Sequence, residues 1–185
     1  MIIFIYFILE KYVMAKVVLF DLGDTLEHND VLREDAVETL DRIISMENPP
    51  ILGLASDFGL PNEWGLPPLE EQIKRSKQAY FSILSDLQIK RFFDPQNVTL
   101  STEVGNTKDQ NIQKFFQTAV NKIGNTSFNQ VIFITENCKH IDSANSLGIK
   151  TIFLKLNNNS DVNNGSNTIS NLSESINLIE GMINN

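Results

Sequence analysis

The stretch Lys16-Val-Val-Leu-Phe-Asp-Leu-Gly-Asp-Thr-Leu26 decides how this chain is read. Four apolar residues, Val17 to Phe20, run straight into Asp21, and Gly23, Asp24 and Thr25 follow at once. An unbroken apolar run of this length predicts a strand buried on both faces of a parallel sheet. The carboxylate then stands at the carboxyl edge of that strand, where open α/β sheets bind ligands and do chemistry.

Outward from this segment, apolar runs of strand length recur at 51–55, 131–135 and 151–154. Helical patterns lie between them. Residues 32–46 carry Val37, Leu40, Ile43 and Ile44 on one face, and 69–87 follow the pair Pro67-Pro68. In 109–123, Ile112, Phe115, Phe116, Ala119, Val120 and Ile123 fall at helical spacing, with Asp109 as cap and Gly124 as stop. Strands alternating with helices imply βαβ units with right-handed crossovers. The expected fold is α/β, a three-layer Rossmann-like sandwich with a mostly parallel sheet and helices on both faces. Residues 58–68, with three prolines, two glycines and Trp64, read as an irregular loop, and 157–167 as a polar surface loop. A short extended piece and a closing amphipathic helix are expected between Ile169 and Ile183.

Bulk properties narrow the function. The 185 residues suffice for one domain with a sizeable core. A formal charge of −8 disfavours nucleic acid and anionic membrane as partners, so a phosphate site needs a local cation. The single cysteine, Cys138, excludes an internal disulfide; it reads as a small buried residue in a cytoplasmic, reducing setting. The apolar run at 1–9 is too short to span a bilayer unaided, so no stable membrane insertion is expected. Residues 1–13 read as an N-terminal extension or a mis-called start, and 14–185 as the core domain.

Acids at strand ends carry the chemistry. Asp21 ends one strand and Glu136 follows another, so both fall on one edge of a parallel sheet. Two converging carboxylates make a hard-oxygen site suited to Mg²⁺. Ser56 ends a third strand, where its hydroxyl can bind a phosphate oxygen, and Lys108 beside a helix N-terminus makes an anion site. Each has a plainer reading: Asp21 and Asp24 as turn formers, Ser56 and Glu136 as caps, Lys108 as a solvated lysine.

The order of these residues resembles the four motifs of the haloacid dehalogenase-like (HAD) superfamily. Asp21-Leu-Gly-Asp-Thr25 stands for the Asp-x-Asp-x-Thr motif and Leu54-Ala-Ser56-Asp57 for the second. Ser101-Thr-Glu-Val-Gly-Asn-Thr-Lys108 stands for the third, and the run from Val131 through Thr135-Glu136 to Gly148 for the fourth. The resemblance covers about residues 15–155. It implies a Mg²⁺-dependent phosphatase working through an aspartyl-phosphate on Asp21, with Ser56 and Lys108 holding phosphoryl oxygens. Asp21, the Gly23 carbonyl and Glu136 would hold the metal. The substrate is then a phosphorylated small molecule or macromolecule.

Three departures stand out. Gly23 occupies the position of the family's second Asp, the general acid/base. Thr135-Glu136 replaces Gly-Asp, and His140 aligns with a further acid, with Asp142 two residues beyond. Only about 30 residues separate Thr25 from Ser56, which leaves no room for a cap domain there. A capless site implies a large substrate or a homo-oligomer that covers it, with Trp64 as a partial lid or a packing anchor. The alternative function is a catalytically degenerate HAD-like binding or interaction module.

Overall fold

The computed structural model describes residues 16–59, 70–124, 126–156 and 167–184. The extension at 1–13, Trp64 and most of the 157–167 loop therefore lie outside the described residues. Six parallel strands form the sheet: β1 (Val17–Phe20), β4 (Ile51–Ser56), β5 (Val98–Leu100), β6 (Val131–Thr135), β7 (Lys150–Leu154) and β8 (Thr168–Ile169). They lie in the order β5-β4-β1-β6-β7-β8, so the chain reverses its direction of sheet growth at β1. The register pairs Phe20 with Leu54 on one side and with Ile134 on the other. Asp21, Ser56 and Glu136 consequently emerge together at the carboxyl edge, beside this switch point.

The two faces of β1 explain its unbroken apolar run. Val18 and Phe20 pack with Leu40, Ile43, Tyr80, Leu84, Ile176 and Ile179. These come from helices α1 (Ala36–Ile44), α2 (Glu70–Asp86) and α6 (Ser175–Asn184). Val17 and Leu19 face the other way, into Phe115, Phe116, Ala119, Val120 and Ala144. Those residues belong to α4 (Lys108–Lys122) and α5 (Cys138–Ser146). Period-2 alternation over a strand with apolar cover on both sides gives three layers. Gly53 in β4 has no alternative residue in this packing, because a Cβ there would meet the Asn97 carbonyl oxygen at 2.6 Å and Leu19 Cδ2 at 2.7 Å.

The structure departs from the sequence reading in four places. The first helix starts at Ala36, not 32, because β2 (Glu27–His28) and β3 (Val31–Leu32) form an antiparallel hairpin first. Its turn residues Asn29 and Asp30 sit at φ 52° and 61°, the left-handed pair that a two-residue hairpin needs. The region between Ser56 and Lys108 holds more than a loop and a helix: it includes β5 and the single turn α3 (Ser101–Val104). Glu103 accepts from the Leu100 amide at 3.0 Å, and Gly105 closes the turn at φ 73°, which accounts for the Ser-Thr-Glu-Val-Gly phrase. Thr107, not Asp109, caps α4, its hydroxyl accepting from the Gln110 amide at 3.2 Å. Cys138 is exposed at the start of α5, not buried. No second folded layer stands over the carboxyl edge among the described residues.

Candidate active site

The backbone turn that follows β1 aims Asp21 inward. Asp21 is only 8% exposed, and its Oδ1 accepts from the Leu22 amide at 3.0 Å. Leu22 is the hub of the turn, its carbonyl accepting from the amides of Thr25, Leu26 and Glu27. Asp24 takes φ 55° there, and this conformation sends its carboxylate outward to pair with His28 Nδ1.

Lys108 reaches the site from the first turn of α4. Its side chain is 1% exposed, with Nζ donating to Asp21 Oδ2 at 2.5 Å and to the Ala55 carbonyl at 2.7 Å. The Asp57 carboxylate fixes the start of that helix by accepting from the Lys108 amide at 2.8 Å. Lys108 is thus a buried counter-ion, and its reading as a solvated lysine is overturned. Ser56, 7% exposed at the end of β4, opens into the same space.

Glu136 arrives from β6. Its Oε2 accepts from the Thr25 hydroxyl at 2.5 Å, while its amide donates to the same hydroxyl at 3.2 Å. Thr135, fully buried, sets its hydroxyl between Asp21 Oδ2 at 3.5 Å and Glu136 Oε2 at 3.4 Å. Burial raises the Glu136 pKa above its ordinary value, and the nearby Asp21 charge adds to this. His140, 4% exposed on α5, turns Nδ1 to within 3.9 Å of Asp21 Oδ2, and its Nε2 meets Asp109 Oδ1 at 3.1 Å. Burial lowers its pKa and the Lys108 charge lowers it further. Asp142 is exposed and takes no part.

All five expected residues, Asp21, Gly23, Ser56, Lys108 and Glu136, line one cavity of about 600 Å³. Thr25, Thr135 and Asp57 were quoted within motifs, but their roles as clamps on Glu136 and Lys108 emerge only from the structure. Tyr80 was missed as a site residue. It is fully buried against Phe58, with its hydroxyl near Ser56 but without a hydrogen-bond partner among the described residues. An aromatic at a helical core position carries no sequence signal for such a role.

Among the described residues no group of three or more His, Cys, Asp or Glu side chains could hold an ion. Asp21 and Glu136, two carboxylates on one cavity, are hard-oxygen groups of the kind Mg²⁺ takes together with water and substrate oxygens.

No protein-family model matches the sequence, and no curated protein matches it. Solved structures do. A HAD phosphatase from Thermococcus onnurineus superposes with a TM-score of 0.60 at 16% identity, over 82% of this chain and 60% of that one. A HAD-superfamily hydrolase from Ehrlichia chaffeensis gives 0.61 at 15% identity, over 92% and 98%. The HAD-hydrolase YfnB from Bacillus subtilis, bound to magnesium, gives 0.59 at 15%, over 81% and 57%. The chain thus spans nearly all of the Ehrlichia protein but less than two thirds of the other two. Its fold is that of the HAD-superfamily hydrolases.

Proposed function

We propose that this chain is a HAD-like phosphatase that acts through an aspartyl-phosphate on Asp21. The observation that carries the reading is the buried Lys108–Asp21 pair at 2.5 Å, set with Ser56 and Glu136 around one cavity. Isolated in a cavity, a carboxylate with a buried ammonium beside it is an oriented nucleophile next to a phosphate-binding cation. Lys108 Nζ, relieved of part of its contact with Asp21, would take a phosphoryl oxygen, and Ser56 another. Asp21, the Gly23 carbonyl and Glu136 would hold Mg²⁺, which supplies charge neutralisation on the phosphoryl group when bound. Thr25 keeps Glu136 oriented for that role. The open carboxyl edge suits a phosphorylated small molecule or an exposed phosphate on a macromolecule, or a site that a second copy covers. The exposed Cys138 thiol fits the reducing cytoplasm.

Gly23 and the His140 contact favour a second reading, a catalytically degenerate HAD-like module that binds a phosphorylated ligand without turning it over. One experiment separates the two. With Mg²⁺ present, turnover of a panel of phosphate esters should fall to background in Asp21→Asn. Unchanged turnover would remove Asp21 as nucleophile, and absence of Asp21-dependent turnover with retained binding of a phosphate mimic would establish the module.

A further inference from the structure

We propose that Glu27, from the β2–β3 hairpin, is the proton-transferring carboxylate that Gly23 lacks; this assignment rests on the phosphatase reading above. A Cβ built on Gly23 would find Glu27 Oε1 at 3.7 Å and, among the described residues, no other atom within 4 Å beyond its chain neighbours. The Glu27 carboxylate therefore stands against the volume that a side chain at 23 would enter. The main chain brings it there. Gly23 and Glu27 are joined by a parallel bridge, and the Glu27 amide donates to the Leu22 carbonyl at 3.1 Å. Position 27 is thereby tied to the turn that carries Asp21.

The carboxylate is also oriented. Oε2 accepts from the Asp30 amide at 2.9 Å, which leaves Oε1 on the Gly23 side. Glu27 lines the same cavity as Asp21, Ser56 and Lys108. Of the other acids lining it, Asp24 is engaged with His28, Asp57 with the Lys108 amide and Glu136 with Thr25, and of the remaining Asp30 and Asp86 neither is the residue set against Gly23. Glu27 is held by a single backbone amide and has no ion pair among the described residues. A glutamate four positions on has one more methylene than an aspartate, which suits an approach from the hairpin.

The steps balance. As an Asp21 oxygen bonds to phosphorus and the P–O bond to the leaving group breaks, protonated Glu27 gives its proton to the departing alkoxide. This yields the alcohol, aspartyl-phosphate and the Glu27 carboxylate. That carboxylate then takes a proton from water, whose oxygen bonds to phosphorus as the bond to Asp21 breaks. Inorganic phosphate leaves, and Glu27 is protonated again.

Rapid mixing of the full chain and its Glu27→Gln variant with p-nitrophenyl phosphate and with an alkyl phosphate, Mg²⁺ present, tests this. The glutamine still accepts from the Asp30 amide, so the hairpin is retained. On the nitrophenyl ester, whose leaving group needs no proton, E27Q should keep the first burst of nitrophenolate. Its steady rate should fall on the order of 10²–10⁴-fold, and protein bearing a phosphoryl group should accumulate. On the alkyl ester the burst should vanish too. Adding Gly23→Asp to E27Q should restore turnover, since a side chain fits there. Wild-type rates in E27Q, or a burst lost on both esters, would overturn the Glu27 role while leaving Asp21-dependent chemistry intact. Wild-type protein without turnover that Asp21→Asn abolishes would instead overturn the phosphatase reading, and Glu27 with it.

Discussion

Lys108 is the residue on which the site turns. Its ammonium is out of water, donating to Asp21 and Ala55, with the rings of Phe115 and Phe133 each 5.8 Å from it. Removing two charges from water offsets most of their attraction, so the pair contributes little net stability. Removing one partner is different, because the other charge stays buried. Lys108→Met should lower unfolding free energy by about 3–5 kcal/mol in urea titrations. Adding Asp21→Asn should recover part of that loss; strict additivity of the two variants would show that the groups do not interact. At this scale, spacing from Asp21 and the Ser-Thr-Glu-Val-Gly phrase marked Lys108 in the sequence. Its burial was not legible, because nothing local in Thr107-Lys108-Asp109 distinguishes a lysine aimed inward from one in solvent.

Among the elements, α4 delivers Lys108, and its first turn is set by the Thr107–Gln110 capping pair. Thr107→Ala should cost about 1 kcal/mol of stability in thermal or urea melts. A larger loss would indicate that the cap also holds Lys108 in place. That cap was readable, since Thr-x-x-Gln ahead of an apolar run is a helix-start signature, but Asp109 offered a competing one. The β2–β3 hairpin was harder to see. Two-residue strands leave no periodicity, and Asn29-Asp30 is a weaker turn signal than Asn-Gly. The cost of missing it was functional, because the hairpin is the element that carries Glu27. In the third motif, Glu103 and Gly105 build a one-turn helix whose capping is local, yet whose packing beside β5 is not.

For the whole molecule, the site's electrostatics appear as stability against pH. His140 titrates below its ordinary 6.5 when folded, so as pH falls beneath 6.5 the unfolded chain binds the proton first. Its contribution is complete above that value and lost on acidification. Glu136 has the opposite sign. Folding raises its pKa above 4.5, so its contribution is complete below 4.5 and lost as pH rises through the folded value. In metal-free urea titrations across pH, His140→Gln should flatten the decline just below 6.5, and Glu136→Gln should flatten the decline above 4.5 and stabilise the neutral protein. Unchanged profiles in both would mean that neither group is buried as described.

By itself the sequence determined four of the six sheet strands, the main helices, the three-layer α/β plan and the edge where Asp21, Ser56, Lys108 and Glu136 meet. The reason is that apolar period and chain order are local properties, and parallel strands with right-handed crossovers admit few arrangements. Tertiary structure alone decided which of those polar groups are buried and whom they face. Thr25 clamps Glu136 across 111 positions of chain, and Lys108 reaches Asp21 across 87. It also decided what stands beside Gly23. An absent side chain leaves no trace in sequence beyond a glycine, whereas the neighbour that stands against its volume is set by how the following hairpin folds back.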